Sequence, residues 1–474
     1  MLFNSIPFLV FLLLFLPTWL LLPRRLRNPF MLAGSYFFYG WWDWRFCGLL
    51  LLSTLVDFYV GAALERTGDP KKRKGLLLVS LASNLTILGV FKYLDFFLHS
   101  FQALLESLGI RAGLPTLRVV LPVGISFYTF QTLSYTIDIY RGTLRPTRNF
   151  LDFALFVSFF PQLVAGPIER AAHLLPQLVK VPRPRPGDLA EGFKLITMGM
   201  IMKVLLGDQL APIVDPVFRS PQAFSSLESF RALLYFALQI YCDFSGYSLI
   251  ARGTARLFGV DVMINFRQPY LALNITDFWR RWHISLSTWL KDYLYIPLGG
   301  NRKGKIRTYV NLMITMLLGG LWHGANWTFV VWGGLHGIYL AVHKLLLRGR
   351  KPQTRIRISR PADAFLAATR VGFTFGLVLL TWLFFRSPDF PTAFAMLSGI
   401  LSFRGPFEGR ILLALLLVGG VVLAVDLLLY FLDREEIVGL IPPLLRPAVL
   451  SGVWLVILAH LIFAQEIPFI YFQF

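Results

Sequence analysis

Apolar segments long enough to cross a lipid bilayer recur almost without pause along this chain, and no other feature constrains its fold as strongly. A transmembrane helix needs about 20 predominantly apolar residues, fewer where protein covers it. Such segments are read at 3–22, 29–43, 46–63, 75–97, 118–140, 191–212, 229–248, 309–322, 327–346, 365–385, 411–432 and 447–464. Of the 474 residues, 56% are hydrophobic and only 15% charged. One water-facing core cannot enclose that surplus, because such cores stop growing near about 250–300 residues. The expected fold is all-α: a single polytopic membrane domain over 1–474, with about twelve spans plus re-entrant or interfacial helices. Disordered chains, basic soluble scaffolds and conventional soluble enzymes are excluded.

Charge gives the orientation. A formal net charge of +20 in a soluble protein would suggest nucleic acid. Here 34 of the 46 lysines and arginines fall in loops on one side, which the positive-inside rule assigns to the cytoplasm. The partner of that basic face is anionic lipid, not nucleic acid. The first apolar run lacks a basic leader and a small-residue cleavage site, and Arg24, Arg25 and Arg27 follow it. It therefore reads as a retained span with its N-terminus outside, and twelve crossings put both termini outside. Cys47 and Cys242 lie in apolar runs and provide neither a disulfide framework nor a metal motif.

One apolar segment does not fit the alternation. Residues 150–168 are flanked by basic stretches and broken by Pro161, Gly166 and Pro167, so they are expected to be re-entrant or interfacial, under protein cover. The stretch 181–188, VPRPRPGD, is a proline-stiffened cytoplasmic linker. No internal repeat of the transporter kind is visible.

Polar chemistry concentrates in four places. The inside segment 249–308 is aromatic and basic. Asn274 or Thr276 suits a helix cap, and Trp279, Trp282, Trp289 and Tyr293 recur at helical spacing, as in an interfacial helix. A bland reading makes this segment a headgroup anchor. Next, His323 follows Gly319-Gly320 in LLGGLWHGANW, about fifteen residues and ~22 Å into a ~30 Å core. An ionisable residue there is a functional candidate, against the plain alternative of a helix–helix hydrogen bond. His336 has a weaker claim, and His99, His173, His343 and His460 read as structural. Third, Ser126, Thr129, Gln131, Ser134, Tyr135 and Asp138 line the span 118–140. Fourth, Gln239, Asp243, Ser245 and Tyr247 mark the inner end of the seventh span. With Asn326, the clusters around Ser126, Gln131, Tyr135 and Asp138 and around Gln239 and Asp243 suggest the lining of a polar tunnel.

The sequences LPVGISFYTFQTLSYTIDIYRG, FVSFFPQLVAGPIER, QIYCDFSGYSLIARGTARLFG, FWRRWHISLSTWLKDYLYIPLGGNRKG and LLGGLWHGANWTFVVWGGLHG resemble the membrane-bound O-acyltransferase family. The similarity is to its bacterial branch, which acetylates alginate or peptidoglycan or D-alanylates teichoic acids. The motifs cover roughly 120–340, and the MLFNSIPFL opening and IYFQF ending resemble alginate-type members. The resemblance implies N-terminal spans over 1–117, a catalytic core over 118–347 and C-terminal spans over 348–474. It implies that His323, in the WHG motif, is catalytic and that His283, in RWH, is a second characteristic position. It also implies an acyl thioester donor such as acetyl-CoA, no tightly bound cofactor and no metal. A periplasmic acetyltransferase partner, a polysaccharide acceptor and the bacterial inner membrane follow as further expectations. Arg280, Arg281, Lys291, Arg302 and Lys303 are candidates for the donor's phosphates. Peptidoglycan is the alternative acceptor, and an acyl or lipid flippase is the alternative class of function.

Overall fold

A glycine-mediated hairpin sets the position of the central histidine. The helices Lys305–His323 and Trp327–Leu347 run back on each other through a three-residue turn. A side chain at Gly320 would collide with the Phe329 carbonyl oxygen, and one at Gly333 with that of Met316. Only hydrogen at both positions lets the two backbones touch, the close approach that small residues give to helices in lipid. Asn326 starts the second helix by accepting from Thr328 N–H at 3.0 Å. Gly319 and Gly320 lie within the helix, which continues to His323 and ends at Gly324.

These relations come from a computed structural model that describes all residues except 112, 114–119, 165, 407, 465–466 and 473–474. Every regular element among the described residues is helical. Among the described residues, six helices are long and apolar enough to cross a membrane: Phe46–Arg66, Pro70–Ser107, Trp327–Leu347, Pro361–Arg386, Gly409–Leu432 and Arg446–Phe463. The other expected spans correspond to helices that are shorter or more polar, such as the 16-residue Ile6–Leu21 and the 32-residue Ser226–Leu257. The expected span 118–140 is helical from Ile125 to Tyr140, and its first two residues lie outside the described residues. Pro70–Ser107 is 38 residues long, about 57 Å of helix against a ~30 Å core, so it overshoots the expected 75–97. A π-helical segment, Gly89–Tyr93, interrupts it.

The chain divides into two compact units, Met1–Phe193 with Ala251–Met263, and Lys194–Ile250 with Ile264–Phe474. The stretch 118–347 is thus shared between them. In the first unit, Ile125–Tyr140 is buried at every position except Ile137 and Tyr140. Residues 150–168 form two short helices, Phe150–Ser158 and Phe160–Leu163, buried from Phe153 through Val164. The break expected near Pro161 falls at Phe159, and Pro161 sits in the first turn of the second helix, where its missing N–H costs nothing. In the second unit, residues 264–304 contain only short helical pieces, the last of which, Ile284–Leu290, continues into a π-helical turn at Lys291–Tyr295. The single interfacial helix suggested by the tryptophan spacing is therefore two, Ile275–Arg281 and Ile284–Leu290, interrupted at Trp282–His283. Asn274 is the cap, accepting from Asp277 N–H at 2.9 Å.

Candidate active site

His283 occupies the kink between those two short helices in a left-handed conformation, with φ of 42°. A side chain there costs roughly 1–2 kcal/mol, and local bonds hold it. Ile284 N–H donates to Asn265 O at 3.0 Å. The Asn265 side chain acts as a hub: its Oδ1 accepts from Ser285 Oγ at 2.7 Å and Ser285 N–H at 3.3 Å, and its Nδ2 donates to Ser248 Oγ at 3.1 Å. His283 Nδ1 lies 3.4 Å from the same Oδ1. Because that oxygen can only accept, Nδ1 carries the proton and Nε2 keeps the lone pair. The kink turns the imidazole inward, and it is fully buried.

His323 arrives from the end of its helix, 3% exposed. The two imidazole rings, forty residues apart in sequence, lie 6.2 Å centre to centre. Aromatic side chains enclose them. Trp332 meets the His323 ring edge to face at 4.9 Å, Trp322 at 5.1 Å and Phe385 at 5.5 Å, and Tyr471 lies tilted against it at 5.4 Å. Phe244 packs on His283 at 4.7 Å. This wall supplies a water-poor setting for proton transfer, in which charges that develop during reaction interact strongly. The indole N–H groups of the buried Trp282 and Trp332 have no acceptor among the described residues.

His336 differs. Trp279 Nε1–H donates to His336 Nδ1 at 3.3 Å, and His336 Nε2 lies 3.0 Å from Thr381 Oγ1. Indole is a donor only, so Nδ1 accepts and Nε2–H donates. The Thr381 hydroxyl in turn donates to Val378 O at 2.7 Å. Both nitrogens of His336 are committed to the fold. Other lone histidines also have local partners: His173 with Glu169 at 2.8 Å, His343 with Thr276 at 2.8 Å and His460 with Gln209 at 3.0 Å.

The remaining sequence candidates separate. Ser126, Gln131, Tyr135 and Asp138 belong to the first unit, and Gln239, Asp243 and Asn326 to the second. Gln131 donates to Phe156 O at 2.5 Å, Tyr135 OH accepts from Thr147 N–H at 3.2 Å, and Lys92 Nζ donates to Ser126 at 3.3 Å. Asn326 is occupied as a cap and donates to Pro388 O at 2.7 Å. Gln239 is buried, its Oε1 without a donor among the described residues. Asp243 holds Lys203 and the backbone of Ile470. Of the basic candidates, Arg280, Lys291, Arg302 and Lys303 are exposed. Arg281 is spent on the fold, bonded to Asp277 at 2.9 Å and to Thr354 O at 2.7 Å. Sequence reasoning missed Asn265, Trp332 and Tyr471 as neighbours of the two histidines. Trp332 lay in the quoted WGGLHG motif and Tyr471 in the IYFQF ending; Asn265 left no signal.

The chain is similar to known acyltransferases. A probable alginate O-acetylase, AlgI, of Azotobacter vinelandii is 44% identical over 406 residues, covering 85% of this chain and 78% of that protein. A peptidoglycan O-acetyltransferase of Helicobacter pylori is 35% identical over 85% of this chain and 80% of its own length. A teichoic acid D-alanyltransferase of Streptococcus thermophilus is 28% identical over 61% of this chain and 75% of its own. The sequence model of the membrane-bound O-acyltransferase family matches residues 143–385, which take in both histidines and most of their aromatic wall. With apolar helices, a buried histidine pair and relatives that transfer acyl groups, this chain belongs to the membrane-bound O-acyltransferases.

Proposed function

We propose that this acyltransferase moves an acetyl group from a cytoplasmic thioester, acetyl-CoA, toward hydroxyls of an exported polysaccharide of the alginate kind. It works in the bacterial inner membrane with a periplasmic acetyltransferase as its partner protein. The observation that carries this reading is the packing of His323 against His283 inside a closed aromatic wall. A hydroxyl acceptor needs a base at neutral pH, and an imidazole suits that task. His323 takes the proton as the hydroxyl oxygen attacks the thioester carbonyl carbon. The carbon–sulfur bond breaks, and the proton passes to the departing thiolate. His283, its tautomer fixed by Asn265, presents a lone-pair nitrogen on the same side of the pocket. Exposed Arg280, Lys291, Arg302 and Lys303 suit the donor's phosphates, whereas Arg281 stays with the fold. The alginate-type acceptor is favoured over peptidoglycan by the higher identity to the alginate O-acetylase.

The test uses the purified protein in liposomes with radiolabelled acetyl-CoA, its periplasmic partner, and either alginate oligosaccharides or peptidoglycan fragments. Label on alginate that depends on acetyl-CoA is the expected result, and Arg302→Ala should raise the donor KM by about tenfold, the scale of one charge-assisted contact. Label on peptidoglycan fragments alone moves the acceptor assignment. Unconsumed acetyl-CoA in both arms overturns the donor.

A further inference from the structure

The wall around His323 includes a segment from close to the end of the chain, and a buried ionic cluster outside the acyl-transfer chemistry ties that segment down. Lys203, Asp208 and Asp243 are all buried. Lys203 Nζ pairs with Asp208 Oδ1 at 2.6 Å and with Asp243 Oδ1. The cluster also reaches the segment's backbone: Lys203 donates to Ile467 O at 3.3 Å, and Asp243 Oδ2 accepts from Ile470 N–H at 2.8 Å. Between these anchor points Phe469 stacks on Tyr247 at 4.5 Å. One residue beyond them, Tyr471 lies 5.4 Å from His323 and 4.6 Å from Phe244.

Burying three charges is a poor route to stability, because desolvation costs several kcal/mol per ion and apolar packing serves as well or better. Its better-attested use is to fix one arrangement among several. The segment itself has only a three-residue 3₁₀ turn, Ile470–Phe472, which cannot hold its own shape. Both anchoring bonds go to main-chain atoms, so they fix the position of the segment rather than read its side chains.

We propose that Lys203 and Asp243 are positioning residues that hold segment 467–472 as a fixed wall of the His323 pocket, and that the pocket is competent only with this wall in place. The inference rests on acyl transfer at His323. Its test places a reporter cysteine in the wall, Ile470→Cys, in a Cys47→Ser, Cys242→Ala background. Maleimide labelling and acetyl transfer are then measured with and without Asp243→Asn, which keeps an acceptor oxygen but loses the charge facing Lys203. The expected result is labelling at least about tenfold faster and kcat at least about tenfold lower, with the donor KM unchanged. Asp243→Glu, which restores the charge, should recover part of both. Faster labelling at normal kcat overturns the proposal, as does a lower kcat with no change in labelling. Should Asp243→Asn fail to fold, a stop codon at Ile467 removes the wall and leaves the ionic cluster. A folded, inactive product supports the proposal, and a folded, active one overturns it. His323→Ala in the same assay separates the two readings. If it remains active, acyl transfer at His323 fails and the wall proposal falls with it. If it is inactive while the freed-wall variant turns over normally, only the wall proposal fails.

Discussion

Two buried polar clusters in this molecule are built on opposite principles. In the first unit, Asp57 of Phe46–Arg66 is enclosed by donors from two neighbouring helices. Ser80 Oγ and Thr136 Oγ1 donate to its Oδ1, and Asn84 Nδ2 donates to its Oδ2 at 2.8 Å. Asn84 Oδ1 accepts in turn from Ser53 at 2.8 Å and Thr132 at 3.3 Å. The network closes on itself and ties three helices together. In the second unit, the walls around His323 are aromatic, and the indole N–H groups of Trp282 and Trp332 have no partners among the described residues. Native proteins leave few such atoms, each calling for a reason. A closed network works as glue, whereas an open one has capacity left for a substrate. Intramembrane polarity by itself distinguishes neither.

The contrast is sharpened most by His323→Ala. Transfer to the polymer should fall by about 10²–10⁴, the usual range for loss of a general base, while expression and thermal unfolding in detergent stay near wild type. Full transfer by a normally expressed variant would erase the distinction between the clusters. Asp57→Ala should show the reverse pattern. Stranding the Ser80, Asn84 and Thr136 groups should cost about 1–3 kcal/mol of stability, seen as a lower unfolding temperature, with turnover per folded molecule preserved. A turnover collapse at unchanged stability would make Asp57 part of the chemistry.

His336 tests the boundary inside the second unit. Its bonds to Trp279 and Thr381 make it glue beside a site, each worth about 1 kcal/mol. His336→Ala should therefore lower stability and reduce turnover by less than about tenfold, under 1.4 kcal/mol of barrier. A loss equal to that of His323→Ala would place His336 in the reaction.

The smallest effect belongs to the first unit's outer polar group. His173 lines a cavity of about 560 Å³ with Gln177, Arg185, Asp188, Arg256, Gly259 and Asp261. The Asp261 and Glu169 carboxylates raise its pKa to about 10. A raised folded-state pKa gives stability that is full below the unfolded value near 6.5 and is lost as pH rises through about 10. The ring is partly exposed, so the contribution should be a few tenths of a kcal/mol. His173→Gln should flatten the stability profile between about pH 6.5 and 10; an unchanged profile would remove the ion pair from the account.

Much of this was legible because lipid imposes simple rules on sequence. Apolar length located the helices Trp327–Leu347, Pro361–Arg386, Gly409–Leu432 and Arg446–Phe463 to within four residues. Their boundaries follow from hydrophobic thickness and need no knowledge of neighbours. The glycine-flanked WHG pointed to His323 because an ionisable side chain in such a run is costly without a purpose. Adjacent arginines were not separable in this way. Arg280 and Arg281 look alike in sequence, but successive helical residues point about 100° apart, so one reaches solvent and the other Asp277. Asp57 went unnoticed, since one aspartate in an apolar run carries no record of the two neighbouring helices that satisfy it.

The sequence by itself determined an all-helical membrane chain, the existence of a broken segment at 150–168, an aromatic and basic segment at 249–308 outside the regular spans, and the family to which its motifs belong. Those features depend on local hydrophobicity and local motif, which each stretch carries within itself. Only the tertiary structure decided that His283 and His323 share one aromatic enclosure, that Asn265 fixes the tautomer of one, and that Tyr471 packs beside the other. It also decided that Asp243 holds the backbone of Ile470. Each of these is a contact between residues far apart in the chain. Such contacts are set by how helices pack and where a kink at His283 or a glycine crossing at Gly320 and Gly333 permits close approach, and no local pattern encodes that geometry.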